Sequence, residues 1–194
     1  ISIFEDDILL GENAEQFLAN DEWLKVRFNF QEIFVLRLET FLMPVQLEHQ
    51  QQILPFQERN IDILKSKHFG TAGYIISNGA AKYLINLFEK LAVEEIKAID
   101  EIMFNEQINV DPYQVYQLNP AICVQELQLN QENSLLVSDL QQERKKNTAV
   151  HAKKTLKQRL TRIKENIIRA LNKEKWKEQQ RLKEMQGKEI VRFM

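Results

Sequence analysis

Apolar and polar positions along the chain alternate between short strand-like runs and helical stripes. Ile1, Ile3 and Phe4 read as the end of a buried strand of a mixed or parallel sheet. Three carboxylates, Glu5, Asp6 and Asp7, follow at once, and then the chain turns apolar again at Ile8, Leu9 and Leu10. Residues 14–24, with Phe17, Leu18 and Trp23, have helical spacing. Residues 26–30 and 32–38 are rich in β-branched and aromatic side chains, which suit one or two strands. Pro44 and Pro55 bracket the Gln-rich piece 46–52, a surface connection by composition. Further on, Tyr74, Ile75 and Ile76 are strand-like, and Ser77 or Asn78 can cap a helix over 80–91. Asp100 opens a helix whose buried face holds Met103 and Phe104, Asp111-Pro112-Tyr113 is a turn, and 115–125 adds a short strand and an apolar loop.

The 194 residues, 44% hydrophobic, suffice for one domain with a sizeable core and an appendage. No apolar run is long enough to span a bilayer, and no signal peptide is visible. A single cysteine, Cys123, excludes an internal disulfide, and its setting Ala121-Ile122-Cys123-Val124 marks it as a small core residue in a chain suited to a reducing cytoplasm. The net charge of −2 hides an asymmetry. Residues 1–142 carry 9 Lys+Arg against 22 Asp+Glu, whereas 143–194 carry 17 against 6. The acidic body holds four of the five glycines and all four prolines, as a folded domain with turns does. The basic part has only Gly187 and no proline, as a long helix does.

The acidic triplet is the first candidate for chemistry. Adjacent carboxylates repel, and hard oxygen ligands favour Mg²⁺ or Mn²⁺. In an extended backbone Glu5 and Asp7 face one side and Asp6 the other, so at most two of them share one ion. On these residues alone a helix N-terminus capped by Asp6 or Asp7 is an equal alternative. Gly70 and Gly73 permit close backbone approach or positive φ, but their spacing does not match a phosphate-binding loop, which favours a packing role. His68 alone reads as a surface or hydrogen-bonded residue rather than a ligand. Asp100 and Glu101 are equally a helix start or a catalytic pair.

The order of these stretches is more specific than any one of them. Phe4-Glu5-Asp6-Asp7, then Gly73-Tyr74-Ile75-Ile76-Ser77 with Gly79-Ala80, then Ile99-Asp100-Glu101, then Asn119-Pro120-Ala121 resembles glycosyltransferase family 25. That family includes bacterial lipooligosaccharide galactosyltransferases and the collagen galactosyltransferases. Leu36-Arg37-Leu38-Glu39-Thr40 also looks like a segment of its bacterial members. The resemblance covers residues 1–126. It implies an α/β fold of the GT-A nucleotide-sugar type, with Glu5 and Asp7 holding Mn²⁺ or Mg²⁺ on the diphosphate of UDP-galactose. Asp6, Gly73 and Tyr74 are then expected to contact the donor. Inverting transfer needs a carboxylate base, for which Asp100 is the first choice and Glu101 the second. The acceptor implied is a lipid-linked lipooligosaccharide glycan.

The resemblance begins at the acidic motif, so the strand-helix units that bind uracil and ribose in a GT-A fold have no counterpart in this chain. A fold incomplete at its N-terminus is the corresponding expectation, either as an inactive remnant or as part of a longer protein. In the tail, Leu156, Leu160, Ile163, Ile167 and Leu171 are spaced 4, 3, 4 and 4, an amphipathic stripe among Lys and Arg. Two readings of this helix compete: packing on the acidic body, or peripheral attachment to anionic membrane at the inner face of the inner membrane with Trp176 at the interface. Nucleic acid is excluded as a partner by the scarcity of aromatics in the tail, the lack of a recognisable motif and the acidic body. The rival to an enzyme is a non-catalytic remnant or a membrane- or partner-binding module, in which the acidic residues only cap helices.

Overall fold

The computed structural model describes residues 1–29, 31–129, 178, 182 and 185–194. In chain order the strands are β1 (Ser2–Phe4), β2 (Ile8–Leu10), β3 (Phe34–Arg37), β4 (Glu39–Thr40), β5 (Pro44–Val45), β6 (Leu47–Glu48), β7 (Asn60–Leu64), β8 (Gly73–Ile76), β9 (Gln114–Asn119), β10 (Cys123–Gln125) and β11 (Glu189–Ile190). The helices are α1 (Ala14–Leu18), α2 (Glu22–Lys25), α3 (Asn78–Phe88), α4 (Ile99–Glu101), which continues as a π turn over Ile102–Glu106, and α5 (Glu126–Leu129).

Six strands form one mixed sheet in the order β1-β8-β3-β9-β7-β6. Only β3 and β9 run parallel; the other pairs are antiparallel. All four residues of β3 are buried because the strand has a partner on each side and helices over each face. Side chains alternate along a strand. Phe34, Leu36 and Leu38 therefore join Ile75 of β8 in a core with Phe17 of α1 and Trp23 of α2. Val35, with Tyr74 and Ile76, enters a second core with Leu84 of α3 and with Met103 and Phe104 of the π turn. The result is a mixed α/β unit with a core on each face of the central sheet.

Several local expectations hold. Ser77 caps α3 by accepting from the Ala80 amide, and its hydroxyl also accepts from the Phe34 amide, tying helix to strand. Cys123 is fully buried, and burial pushes its thiol pKa up. Others are corrected. Among the described residues the strand at Ile1–Phe4 lies at the edge of the sheet rather than buried within it: its sheet neighbour there is β8, and Ile1 is 79% exposed. Residues 26–29 are not a strand, because Phe28 turns into the core to stack on Phe34 at 4.4 Å while Val26 points to solvent. Phe30 lies outside the described residues. For His68, expected on the surface or hydrogen-bonded, the second alternative holds: it is buried, with Nδ1 2.6 Å from the Phe69 carbonyl oxygen.

The described residues fall mainly in one compact unit, Ile1–Ser134 with Gly187–Met194. The last eight residues of what reads in the sequence as a basic tail thus join the body. Their apolar side chains and free backbone groups find partners there. β11 pairs with β5, Thr40 Oγ1 donates to the Val191 carbonyl at 2.7 Å, and an Arg59 Nη donates to the Met194 carbonyl at 2.9 Å. The amphipathic stripe from Leu156 to Leu171 and Trp176 lie outside the described residues.

Candidate functional site

Asp6 and Asp7 sit in a turn between β1 and β2, so the acidic triplet leads from strand to strand and caps no helix. The carboxylates of Glu5 and Asp7 converge on one side-chain amide. Gln125 Nε2 lies 2.9 Å from Glu5 Oε2 and 3.3 Å from Asp7 Oδ2. The placement follows from strand register, since Gln125 of β10 pairs with Ile8 of β2 and the Glu126 amide donates to the Asp7 carbonyl. Asp6 is exposed and does not share this cluster's hydrogen bonds.

The loop joining His68 to Ala72 meets the cluster from the other side. Thr71 Oγ1 donates to Glu5 Oε1 at 2.9 Å, and the Glu5 amide donates to the Ala72 carbonyl. One residue earlier, the Gly70 amide donates to Asp100 Oδ2 at 3.2 Å, while Asp100 Oδ1 accepts from the Glu101 amide. Consecutive residues of a single loop thus hold Glu5 and Asp100, which lie 95 positions apart in the sequence.

Beneath the loop lies a buried ion pair. Arg37 is fully buried at the end of β3 and donates to Glu39 Oε1 at 2.9 Å. Its other hydrogen bonds run to the carbonyls of Gly70 at 2.8 Å and Phe69 at 2.9 Å, and its guanidinium stacks over Phe104 at 4.1 Å. Arg37 thereby ties the loop to the π turn that follows Asp100. Glu39 Oε1 also accepts from the Ala72 amide, while Oε2 has no hydrogen-bond partner among the described residues. Burial pushes the Glu39 carboxyl up to about 7 against the opposing pull of Arg37. Burial and the nearby Arg37 charge hold His68 well below its ordinary range, so its imidazole is neutral.

The other candidates have distinct placements. Glu101 is paired with Lys67 at 2.8 Å and accepts from Asn105, and the Lys67 hydrogen bond lowers its pKa. A carboxylate neutralised in this way is a weak base. Among the described residues Asp100 has no Lys, Arg or His within ion-pair distance. Gly73 is buried and faces the first core, where a Cβ would collide with Cys123 Sγ and approach Phe4. Tyr74 packs edge-on to Phe104, and burial followed by the charges of Glu5 and Glu39 raises its pKa.

The donor set suits a hard cation in part. Among the described residues, no three His, Cys, Asp or Glu side chains gather closely enough to hold a metal by themselves. Magnesium-type sites, however, are built from one or two carboxylates, with water and substrate phosphate completing the shell. Two carboxylates converging at the partly exposed surface fit that description. An open groove of about 550 Å³ lined by Gln16, Trp23, Arg27 and Phe56 shares no residue with this cluster. Its polar groups serve packing: Arg27 donates to the carbonyls of Trp23, Leu54 and Pro55, and the Trp23 indole to that of Phe17.

Comparison with known sequences agrees with the motif order. The profile of glycosyltransferase family 25 (LPS biosynthesis protein) matches residues 1–103. The chain belongs to glycosyltransferase family 25. It is 66% identical over its whole length to the lipooligosaccharide biosynthesis protein lex-1 of Haemophilus influenzae, covering 64% of that protein. To the lacto-N-neotetraose biosynthesis glycosyltransferases LgtE and LgtB of Neisseria gonorrhoeae it is 44% identical over 74% of the chain and 40% identical over 100% of it. Those matches cover 52% and 70% of the respective relatives, so the chain spans between half and somewhat over two thirds of their lengths. Within this family 25 chain the profile ends just beyond Asp100 and Glu101, and Gln125 lies after it. No helix among the described residues is long and apolar enough to cross a membrane.

Sequence reading missed Arg37, Glu39, Thr71 and Gln125 as parts of the site. For the first two a signal exists: opposite charges two residues apart inside an apolar run lie on one face of a strand, which marks a buried ion pair. For Thr71 and Gln125 there is none, because their partners come from register and loop course.

Proposed function

We propose that the chain carries the catalytic region of a metal-dependent inverting glycosyltransferase that moves galactose from UDP-galactose to a lipooligosaccharide glycan. The observation that carries the reading is the arrangement of Glu5 and Asp7 on one side of the 68–72 loop and Asp100 on the next residue of that loop. Membership of family 25 and the lipooligosaccharide names among the relatives support the acceptor class. The donor sugar, the inverting outcome and the GT-A-type fold follow from the family resemblance.

Glu5 and Asp7 would hold Mn²⁺ or Mg²⁺, with water and the donor diphosphate completing the shell. When bound, the ion supplies Lewis-acid stabilisation of the charge that develops on the departing UDP. Asp100 is the base: its carboxylate takes the proton of the acceptor hydroxyl as that oxygen bonds to the anomeric carbon, and the sugar–UDP bond breaks with its electron pair leaving on the diphosphate. The Gly70 amide fixes one Asp100 oxygen and leaves that oxygen's second lone pair for the acceptor. Glu101 stays paired with Lys67 and orients the segment. Asp6 and Tyr74 belong to the donor side, with Gly73 shaping the strand beneath them. The basic segment 143–186 draws the enzyme to the anionic inner face of the inner membrane, where a lipid-linked acceptor resides.

Asp100→Asn tests the assignment of the base. The variant is expected to lose turnover by roughly 10²–10⁴-fold while retaining its affinity for UDP. Unchanged turnover would remove Asp100 from this role and move the search to Glu101, the second carboxylate of the pair.

A further inference from the structure

The geometry assigns Gln125 to the metal site as a positioning residue: we propose that its side-chain amide holds the carboxylates of Glu5 and Asp7 converged, so that one divalent cation meets both. The inference rests on the metal reading above and concerns a residue beyond the stretch that the family profile matches.

Two carboxylates with oxygens bonded to a common nitrogen lie within about 6 Å of each other and repel. Gln125 Nε2 reaches Glu5 Oε2 at 2.9 Å, Asp7 Oδ2 at 3.3 Å and Asp7 Oδ1 at 3.5 Å. An amide nitrogen carries two protons, one for each carboxylate. The amide is also neutral. A lysine at this place would form ion pairs that a cation would have to break, whereas an amide orders the ligands and yields to the ion. Its own position is secured from behind, since Cys123 and Val124 of the same strand are fully buried and β10 is paired on both edges, with β2 and β4. Thr71 secures Glu5 from the other side. Partners that orient ligands in this way are worth roughly 10–100-fold in metal affinity.

The test is Mn²⁺ binding in the presence of UDP, followed by calorimetry, and the melting temperature without divalent ions, on this chain and on Gln125→Met, Gln125→Glu and Asp7→Asn. Gln125→Met keeps the length and removes the donor; its Mn²⁺ affinity is expected to fall roughly tenfold. Gln125→Glu brings a third carboxylate against the first two, so its metal-free melting temperature is expected to fall and to recover on adding Mn²⁺, a response that a purely structural role would not give. Wild-type or tighter Mn²⁺ affinity in Gln125→Met, with loss of binding in Asp7→Asn, would overturn the role of Gln125 alone. Unchanged affinity in Asp7→Asn would overturn the metal reading and this inference with it.

Discussion

The backbone amide of Gly70 donates to Asp100 Oδ2 at 3.2 Å, with Gly70 itself at φ +82°. A Cβ here would stand 3.1 Å from Glu39 Oε2 in a conformation that L side chains rarely adopt. Gly70→Ala is therefore expected to cost about 1–2 kcal/mol of stability in urea unfolding. It should also lower turnover by more than tenfold by displacing Asp100, with UDP affinity kept. Wild-type turnover in this variant would separate Asp100 from the loop.

Glu39 gives the protein a pH-dependent weakness. Its carboxyl pKa is about 7 in the folded state against an ordinary 4.5, because burial disfavours the charge. Between these values the folded chain keeps a proton that the unfolded chain has lost, so stability falls as pH rises through the window and levels off above it. The full loss is on the order of 3 kcal/mol. Glu39→Gln has no proton to lose in this range and keeps an oxygen for the Ala72 amide and Arg37. Urea titrations from pH 5 to pH 8 are expected to show the variant gaining on the wild type as pH rises; a difference that does not change with pH would contradict the assignment.

Gly73 is held by packing rather than by backbone strain. An added methyl would collide with Cys123 Sγ and touch the Phe4 ring. Gly73→Ala is expected to destabilise by about 1–3 kcal/mol through overpacking. In the Cys123→Ala background the sulfur is gone and most of that cost should disappear. Additive losses in the double variant would show that the two positions do not share the space.

Ser77 joins the helix and the sheet. Its hydroxyl accepts from the amides of Ala80 and Phe34 and donates to the Glu32 carbonyl. Ser77→Ala leaves the buried Phe34 amide without this acceptor and uncaps α3, for an expected loss of about 1–3 kcal/mol by thermal unfolding.

Local rules made the middle of the chain readable. Ser77 followed by an apolar-periodic run is a cap and a helix, and β3 and β8 carry the β-branched residues of buried strands. The candidate carboxylates were also visible, because Glu5, Asp7 and Asp100 interrupt apolar runs. Residues 26–29 misled for a physical reason: Phe28 is apolar because it stacks on Phe34, not because it lies in a strand. Strand β7 alternates polar and apolar over Asn60-Ile61-Asp62-Ile63, but Asp62 is buried along with Ile61 and Leu64, so the alternation does not separate a core face from a solvent face. Tertiary partners decide the rest. Nothing near Gln125 in the sequence points to Glu5, and nothing near Arg37 points to the Gly70 carbonyl, because both contacts arise from strand order and loop course.

The central claim is that Glu5 and Asp7 form a metal-dependent donor site. Calorimetric titration of UDP into this chain and its Asp7→Asn variant, with Mn²⁺ and again with chelator, tests it most directly. The account predicts binding that requires both the metal and Asp7. Binding of equal strength in chelator, or in Asp7→Asn with Mn²⁺ present, would contradict it.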